Sequence, residues 1–138
     1  MARYQGKLSG PLLDRIDLHV EVPTLAAEQL LGSPAGESTD AIRVRCAAAR
    51  DLAVRRQGKP NQQLHGQEID LHAGLGAAAA KFLNVAASRL GWSARSTHRT
   101  LKVARTIADL AGVADTEVAH VAEAVQYRRA LAANGSVG

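Results

Sequence analysis

The feature that most constrains this chain is a short segment of alternating character near its N-terminus. Between residues 16 and 22, apolar side chains alternate with polar ones: Ile16, Leu18, Val20 and Val22 against Asp17, His19 and Glu21. This period of two predicts a β-strand with one apolar face. The later sequence offers this strand no partner, because its apolar residues follow helical spacing. We therefore expect the segment to be one strand of a sheet whose other strands belong to a larger protein.

The sequence after this segment predicts helices separated by Gly and Pro. A short helix is predicted from a cap at Thr24 to Leu31, and another over residues 66–71. Four longer helices are predicted: from Ser38 or Thr39 to Gln57, from Ala77 to Leu90, from Ser93 to Ala111, and from Asp115 or Thr116 to Leu131. Capping residues and glycines set these limits. The predicted fold class is mainly α, a helical bundle with an N-terminal strand fragment.

The composition limits which residues can fill the core and which kinds of site the chain can form. Aromatic residues make up only 3% of the chain, so small aliphatic side chains must fill the core. The formal charge of +4 permits contact with phosphate or nucleic acid without requiring it. The single cysteine, Cys46, excludes a disulfide within the chain. It shares an apolar helix face with Ile42, Ala49 and Ala53, so we expect it in the core.

Metal, membrane and secretion signals are missing from the sequence. The five histidines show no metal-ligand spacing, and no metal site is predicted. Neither a signal peptide nor a run of 18 apolar residues is present, so we expect a cytoplasmic protein with no membrane contact.

Residues 74–81 are the nearest approach to a nucleotide-binding loop. They contain Gly74, Gly76 and Lys81, but not the spacing G-x-x-x-x-G-K-[ST] that cradles phosphates. The preceding residues 67–71 are too short and too polar for a buried parallel strand. We expect a loop that opens an Ala-rich helix.

Four stretches carry a resemblance to a known family. They are Arg3-Tyr4 with LSGPLLDRIDLHVEVP at 8–23, Arg50 with residues 57–61, SAR at 93–95 with HR at 98–99 and LKVARTIADL at 101–110, and HVAEAVQYR at 120–128. Through them the chain resembles the C-terminal part of Mg-chelatase-like AAA+ proteins, the ComM/YifB type. The resemblance implies the last strand of an α/β core (residues 1–23), a linker (24–37), a helical lid (38–132) and a flexible tail (133–138).

The resemblance assigns expected roles to three arginines. Arg15 falls at the arginine finger, which a neighbouring subunit of a ring supplies to the γ-phosphate. The alternative is a surface arginine paired with Asp14 or Asp17. Arg95 falls at the sensor-2 position at the start of the lid helix, with Arg99 as the alternate. The alternative for both is a solvated basic face, because helical spacing places Arg95, Arg99 and Lys102 on one stripe of the helix.

The resemblance also implies cofactors and partners. The intact protein would bind ATP and Mg²⁺, form a ring of copies, and remodel DNA by branch migration in recombination or competence. Without a phosphate-binding loop, the chain alone is expected to hold neither cofactor beyond a weak affinity for nucleotide, and not to hydrolyse ATP. The alternatives are a passive protein-docking domain, a DNA-binding helical domain, and a subunit related to the metal chelatases.

Overall fold

The computed structural model describes residues 10–135 of the 138, apart from the side chains of residues 13, 14 and 130–135. Its helices are α1 (Gly10–Asp14), α2 (Ala27–Gly32), α3 (Thr39–Gln57), α4 (Gln67–His72), α5 (Ala77–Leu90), α6 (Ala94–Leu110) and α7 (Val118–Gly135). A 3-10 helix, Asn61–Gln63, joins α3 to α4. The fold is mainly α, as predicted. Within the described range no helix is both long and apolar enough to cross a bilayer.

The predicted strand over residues 16–22 does not form in this chain. Residues 16–26 are neither helix nor strand, and their burial contradicts the alternation, because His19 is partly buried while Leu18, Val20 and Val22 are exposed. A strand is stable where neighbouring strands accept its backbone hydrogen bonds, and the described residues contain no sheet. The segment instead contacts α7, where the His19 N–H donates to the Tyr127 carbonyl at 3.0 Å.

Serine caps begin α3 and α6, as predicted. Ser38 Oγ and Ser93 Oγ each accept a hydrogen bond at 3.2 Å from the backbone N–H three residues further on. Gly58 and Gly91 end α3 and α5 in the left-handed conformation, which glycine adopts without strain. α2 begins at Ala27, two residues later than a cap at Thr24 would place it. Local chemistry therefore sets the start of α6, which carries the predicted sensor-2 arginine.

α6 lies at the centre of the bundle. It packs against α7, α3, α4 and the 3-10 helix, and α5 packs on α7. The core is built from small aliphatic side chains, as the composition predicted: Leu64, Ile69, Ala73, Ala79, Leu83, Leu101, Ala104, Val121, Ala124 and Val125. Trp92 is only partly buried at its edge. Ser93 and the first turn of α6 thus lie at the end of a helix whose later turns are packed in the core.

The two halves of α3 have different surroundings. Ala49 and Ala53 are buried, whereas residues 39–48 are exposed. The expected core position of Cys46 is wrong, since Cys46 and Ile42 are both exposed. The reason is that no other described element covers the first half of α3, so its apolar face has nothing to pack against.

A buried network of charged side chains fastens α3 to α6. On α6, Arg105 is 1% and Asp109 is 3% exposed. Asp109 accepts hydrogen bonds from Arg56 at 2.8 and 3.0 Å, and from Asn61 at 2.8 Å. Arg105 donates to it at 2.9 Å. Burial alone would raise the pKa of this carboxyl, but hydrogen bonds from Arg56 and Asn61 and the charge of Arg105 hold that pKa below its usual range.

Gly74 leaves room for the Arg105 guanidinium. Its φ of +62° is left-handed, and a Cβ at this position would lie 2.8 Å from Arg105 Nη1. That guanidinium donates to the carbonyls of Ala114 at 2.7 Å and Val113 at 3.0 Å. Residues 74–76 therefore form a structural loop that opens α5, as the sequence predicted.

Candidate functional site

The start of α6 presents a basic face. Arg95, His98, Arg99 and Lys102 recur at spacings of three and four residues, so they lie on one side of the helix. Together with residues from α4 and the segment before it, they line a pocket of about 410 Å³. Its other lining residues are Leu64, His65, Gly66 and Ile69. We call this the basic pocket. The structure thus brings Arg95 and Arg99 into one site.

The three long cationic side chains of the basic pocket differ in their surroundings. Arg95 is exposed. The side chain of Arg99 is 19% exposed, and its Nε lies 3.5 Å from Asp17 Oδ1. Arg99 Nη1 is buried without a hydrogen-bond partner in the described part of the chain. Lys102 Nζ donates to the Gln62 carbonyl at 3.3 Å. The basic pocket therefore combines the exposed guanidinium of Arg95, the largely buried guanidinium of Arg99 with one unused donor, and the ammonium of Lys102, which a hydrogen bond holds in place.

The charge balance of the basic pocket suits an anion. Asp17 approaches Arg99, and Asp70 Oδ1 lies 3.6 Å from His98 Nε2. Two guanidinium groups and one ammonium outweigh these carboxylates. Guanidinium groups match the geometry of phosphate oxygens and can bind them with two parallel hydrogen bonds. Among the described residues, no group of three or more His, Cys, Asp or Glu side chains is placed to hold a metal ion.

Arg15 lies outside the basic pocket. Its side chain is exposed, and its backbone N–H donates to the Leu12 carbonyl at 3.1 Å in the turn after α1. Asp17, one of the two alternative partners predicted for Arg15, faces Arg99 instead. The side chain of Asp14, the other alternative partner, lies outside the described residues. The role of Arg15 stays a prediction.

Sequence reasoning missed Asp17, His65 and His98 as parts of this site. A local signal existed for His98, which lies three residues after Arg95 and four before Lys102. Asp17 contacts Arg99, and His65 lines the basic pocket, from distant parts of the sequence, so helical spacing could not reveal them.

Comparison with known families decides the relationship of this chain. Residues 36–128 match the family described as magnesium chelatase, subunit ChlI C-terminal, and residues 1–30 match magnesium chelatase, subunit ChlI. The chain belongs to the magnesium chelatase ChlI C-terminal family. The ChlI C-terminal match begins just before α3 and ends within α7, so it includes the whole basic pocket. The resemblance expected from the sequence is confirmed.

Relatives of this ChlI C-terminal domain occur in several bacteria. The chain is 42% identical to Competence protein ComM of Haemophilus influenzae over 127 residues, which is 91% of the chain and 25% of ComM. It is 42% identical over 128 residues to the uncharacterized protein YifB of Salmonella typhimurium, and 41% identical to that of Escherichia coli. Each match again covers 91% of the chain and 25% of the relative. The chain therefore spans about a quarter of the length of these relatives.

Proposed function

We propose that this chain is the lid-bearing part of a Mg-chelatase-like AAA+ ATPase and that the basic pocket receives the phosphates of ATP. The observation that carries this proposal is the convergence of Arg95, Arg99 and Lys102 on one pocket. Arg95 also lies in the first turn of α6, where the helix dipole favours an anion. A phosphate there would meet two guanidinium groups and an ammonium.

Arg15 is the proposed arginine finger, acting on ATP held by a neighbouring copy in a ring. It is exposed and lies outside the basic pocket of its own chain, so it is free of the lid's phosphate-binding groups. Its guanidinium would bridge two oxygens of the γ-phosphate as charge builds on them in the transition state. In this proposal ATP and Mg²⁺ are held by the intact protein.

The proposed role in DNA remodelling rests on a relative. The Haemophilus protein is named a competence protein, and we extend that role to this chain as ATP-driven branch migration. The proposed DNA contact does not involve the arginines on the first half of α3. Arg43 pairs with Asp40 at 2.7 Å, and Arg45 pairs with Glu37, so their charge is partly neutralised within the chain.

ATP binding by a full-length protein carrying Arg95→Ala tests the proposal. We expect ATP affinity to fall about tenfold or more, since a hydrogen bond to a charged group contributes roughly 1.5–3 kcal/mol. Arg89→Ala is the matched control, because it removes an exposed arginine from α5 and should leave affinity unchanged. Unchanged ATP affinity in both Arg95→Ala and Arg99→Ala would refute the phosphate role and favour the passive docking domain.

A further inference from the structure

The carboxylate of Asp17 lies against a cation of the basic pocket. Its Oδ1 is 3.5 Å from Arg99 Nε, and the two side chains are 47% and 19% exposed. Arg99 belongs to α6, whereas Asp17 belongs to the irregular segment between α1 and α2. An acid from a separate segment therefore contacts a guanidinium that the proposed function assigns to phosphate.

The same segment is held to α7 by a backbone hydrogen bond. The His19 N–H donates to the Tyr127 carbonyl at 3.0 Å, and His19 is partly buried. Residues 20–33 are exposed throughout. The attachment of this segment is therefore concentrated at residues 16–19, where Ile16 is partly buried, Asp17 contacts α6 and His19 contacts α7.

Arg99 has donor capacity that Asp17 leaves unused. A guanidinium carries five N–H donors in a planar fork, and Arg99 Nη1 is buried with no hydrogen-bond partner in the described range. A phosphate group offers more acceptor oxygens than a carboxylate and can take two parallel hydrogen bonds from one arginine. A phosphate in the basic pocket is therefore a stronger partner for Arg99 than Asp17 is.

The spacing of the cations favours a polyphosphate over a single phosphate group. Arg95 and Lys102 are seven residues apart on α6, which is about 10 Å along the helix axis at a rise of about 1.5 Å per residue. A chain of phosphate groups contacts cations along this length, whereas one phosphate group meets only part of them. Like-charge repulsion between such a ligand and Asp17 at Arg99 then opposes joint occupancy.

We propose that Asp17 competes with polyphosphate for Arg99 from within the same chain. Polyphosphate binding in the basic pocket and docking of residues 17–19 on α6 and α7 then exclude one another. This inference rests on the proposed function of the pocket. Arg15 lies two residues before Asp17 in the sequence, so release of Asp17 also releases the segment that carries the proposed finger.

The test is a titration of this chain with sodium tripolyphosphate at constant ionic strength, followed by NMR. The signals of Arg95, Arg99 and Lys102 report binding. Hydrogen exchange of the His19 amide reports docking, because that amide donates to the Tyr127 carbonyl. We expect His19 exchange to accelerate as the basic pocket fills, and orthophosphate at the same concentration to have less effect.

Two matched variants isolate the carboxylate. Asp17→Asn keeps the side-chain size, and it should expose the His19 amide without ligand. It should also bind tripolyphosphate about threefold to fivefold more tightly than the wild type, which is the upper part of the range for loss of a partly exposed ion pair. Glu21→Gln removes the same charge from the same segment, and Glu21 has no ion pair among the described residues. It should match the wild-type affinity within about twofold, because screening weakens distant charges.

The outcomes separate the inference from the proposed function. If tripolyphosphate binds but Asp17→Asn and Glu21→Gln have the same affinity and His19 exchange is unchanged, the competition is refuted while the basic pocket stands. If tripolyphosphate shifts no signal of Arg95, Arg99 or Lys102 in any variant, both the phosphate-binding role of the basic pocket and the competition are refuted. An equal effect of orthophosphate would overturn the assignment to polyphosphate.

Discussion

The bundle around α6 and the region of residues 15–48 differ in what covers their side chains. In the bundle, α6 contributes Leu101, Ala104 and Ala108 to the interior. In residues 15–48, every side chain is exposed except those of Ile16 and His19, which are partly buried. Both regions hold helices, and α3 begins in the exposed one. Capping therefore decides where a helix begins, whereas burial depends on a second element to pack against.

The largest expected contrast comes from removing a carboxylate in each region. Asp109→Ala leaves the buried Arg105 and the partly buried Arg56 without their shared carboxylate, and we expect a loss of about 3–5 kcal/mol in the free energy of unfolding. Asp40→Ala breaks an exposed pair with Arg43 and should cost less than about 1 kcal/mol. Urea unfolding followed by circular dichroism measures both. Similar losses in the two variants would show that the buried network does not stabilise the bundle.

Gly74→Ala should cost about 2–4 kcal/mol in unfolding free energy, because it combines a left-handed backbone with a contact against buried Arg105. The matched control is Gly112→Ala. Gly112 has a φ of +72°, but a Cβ at this position would have nothing within 4 Å, so its cost should be about 1–2 kcal/mol, the backbone contribution alone. Equal costs in denaturant unfolding would mean that the Arg105 side chain moves aside freely.

Acid should affect the two regions in different pH windows. Burial and the charge of Arg128 lower the pKa of His19, so docking of its segment is fully stable above about pH 6.5 and weakens as the pH falls through the lowered value. Because the pKa of Asp109 is lowered, this carboxylate stabilises the bundle fully above about pH 4. That stabilisation is lost as the pH falls further. His19 exchange and far-UV circular dichroism against pH report the two events. Loss of both signals in one window would contradict the distinction.

The smallest effect is expected from deleting residues 1–23. The bundle has its own caps and core, so helix content should persist and the free energy of unfolding should change by less than about 1 kcal/mol, the size of an exposed ion pair. Circular dichroism and hydrogen exchange on the shortened chain measure this. Collapse of helix content would place residues 1–23 within the core of the lid.

The helices were predictable because their signals are local. Ser38, Ser93, Gly58 and Gly91 act on the residues beside them, so α3, α5 and α6 begin and end within two residues of the predicted limits. The strand over residues 16–22 could not be judged locally, since a strand depends on neighbouring strands, and the described part of the chain supplies none. The exposure of Cys46 has the same kind of cause, because α3 needs a facing element along its whole length.

The candidate site was predictable in part. Helical spacing placed Arg95, Arg99 and Lys102 on one face, and the structure brings them together in the basic pocket. The contact of Asp17 with Arg99 depends on where the chain returns after leaving α1, which spacing does not encode. The buried pair of Arg105 and Asp109 was also missed, because charged residues are rarely buried and a spacing of four is common on exposed helix faces.

ATP turnover by a full-length protein carrying Arg15→Ala tests most directly whether this chain belongs to an ATP-driven ring. A finger acts mainly in the transition state, so turnover should fall by about 10³-fold or more while ATP affinity stays nearly unchanged. Arg89→Ala should keep wild-type turnover, and sedimentation should show that both variants still assemble. Near-normal turnover in an assembled Arg15→Ala ring would contradict the finger and return Arg15 to the role of a surface arginine.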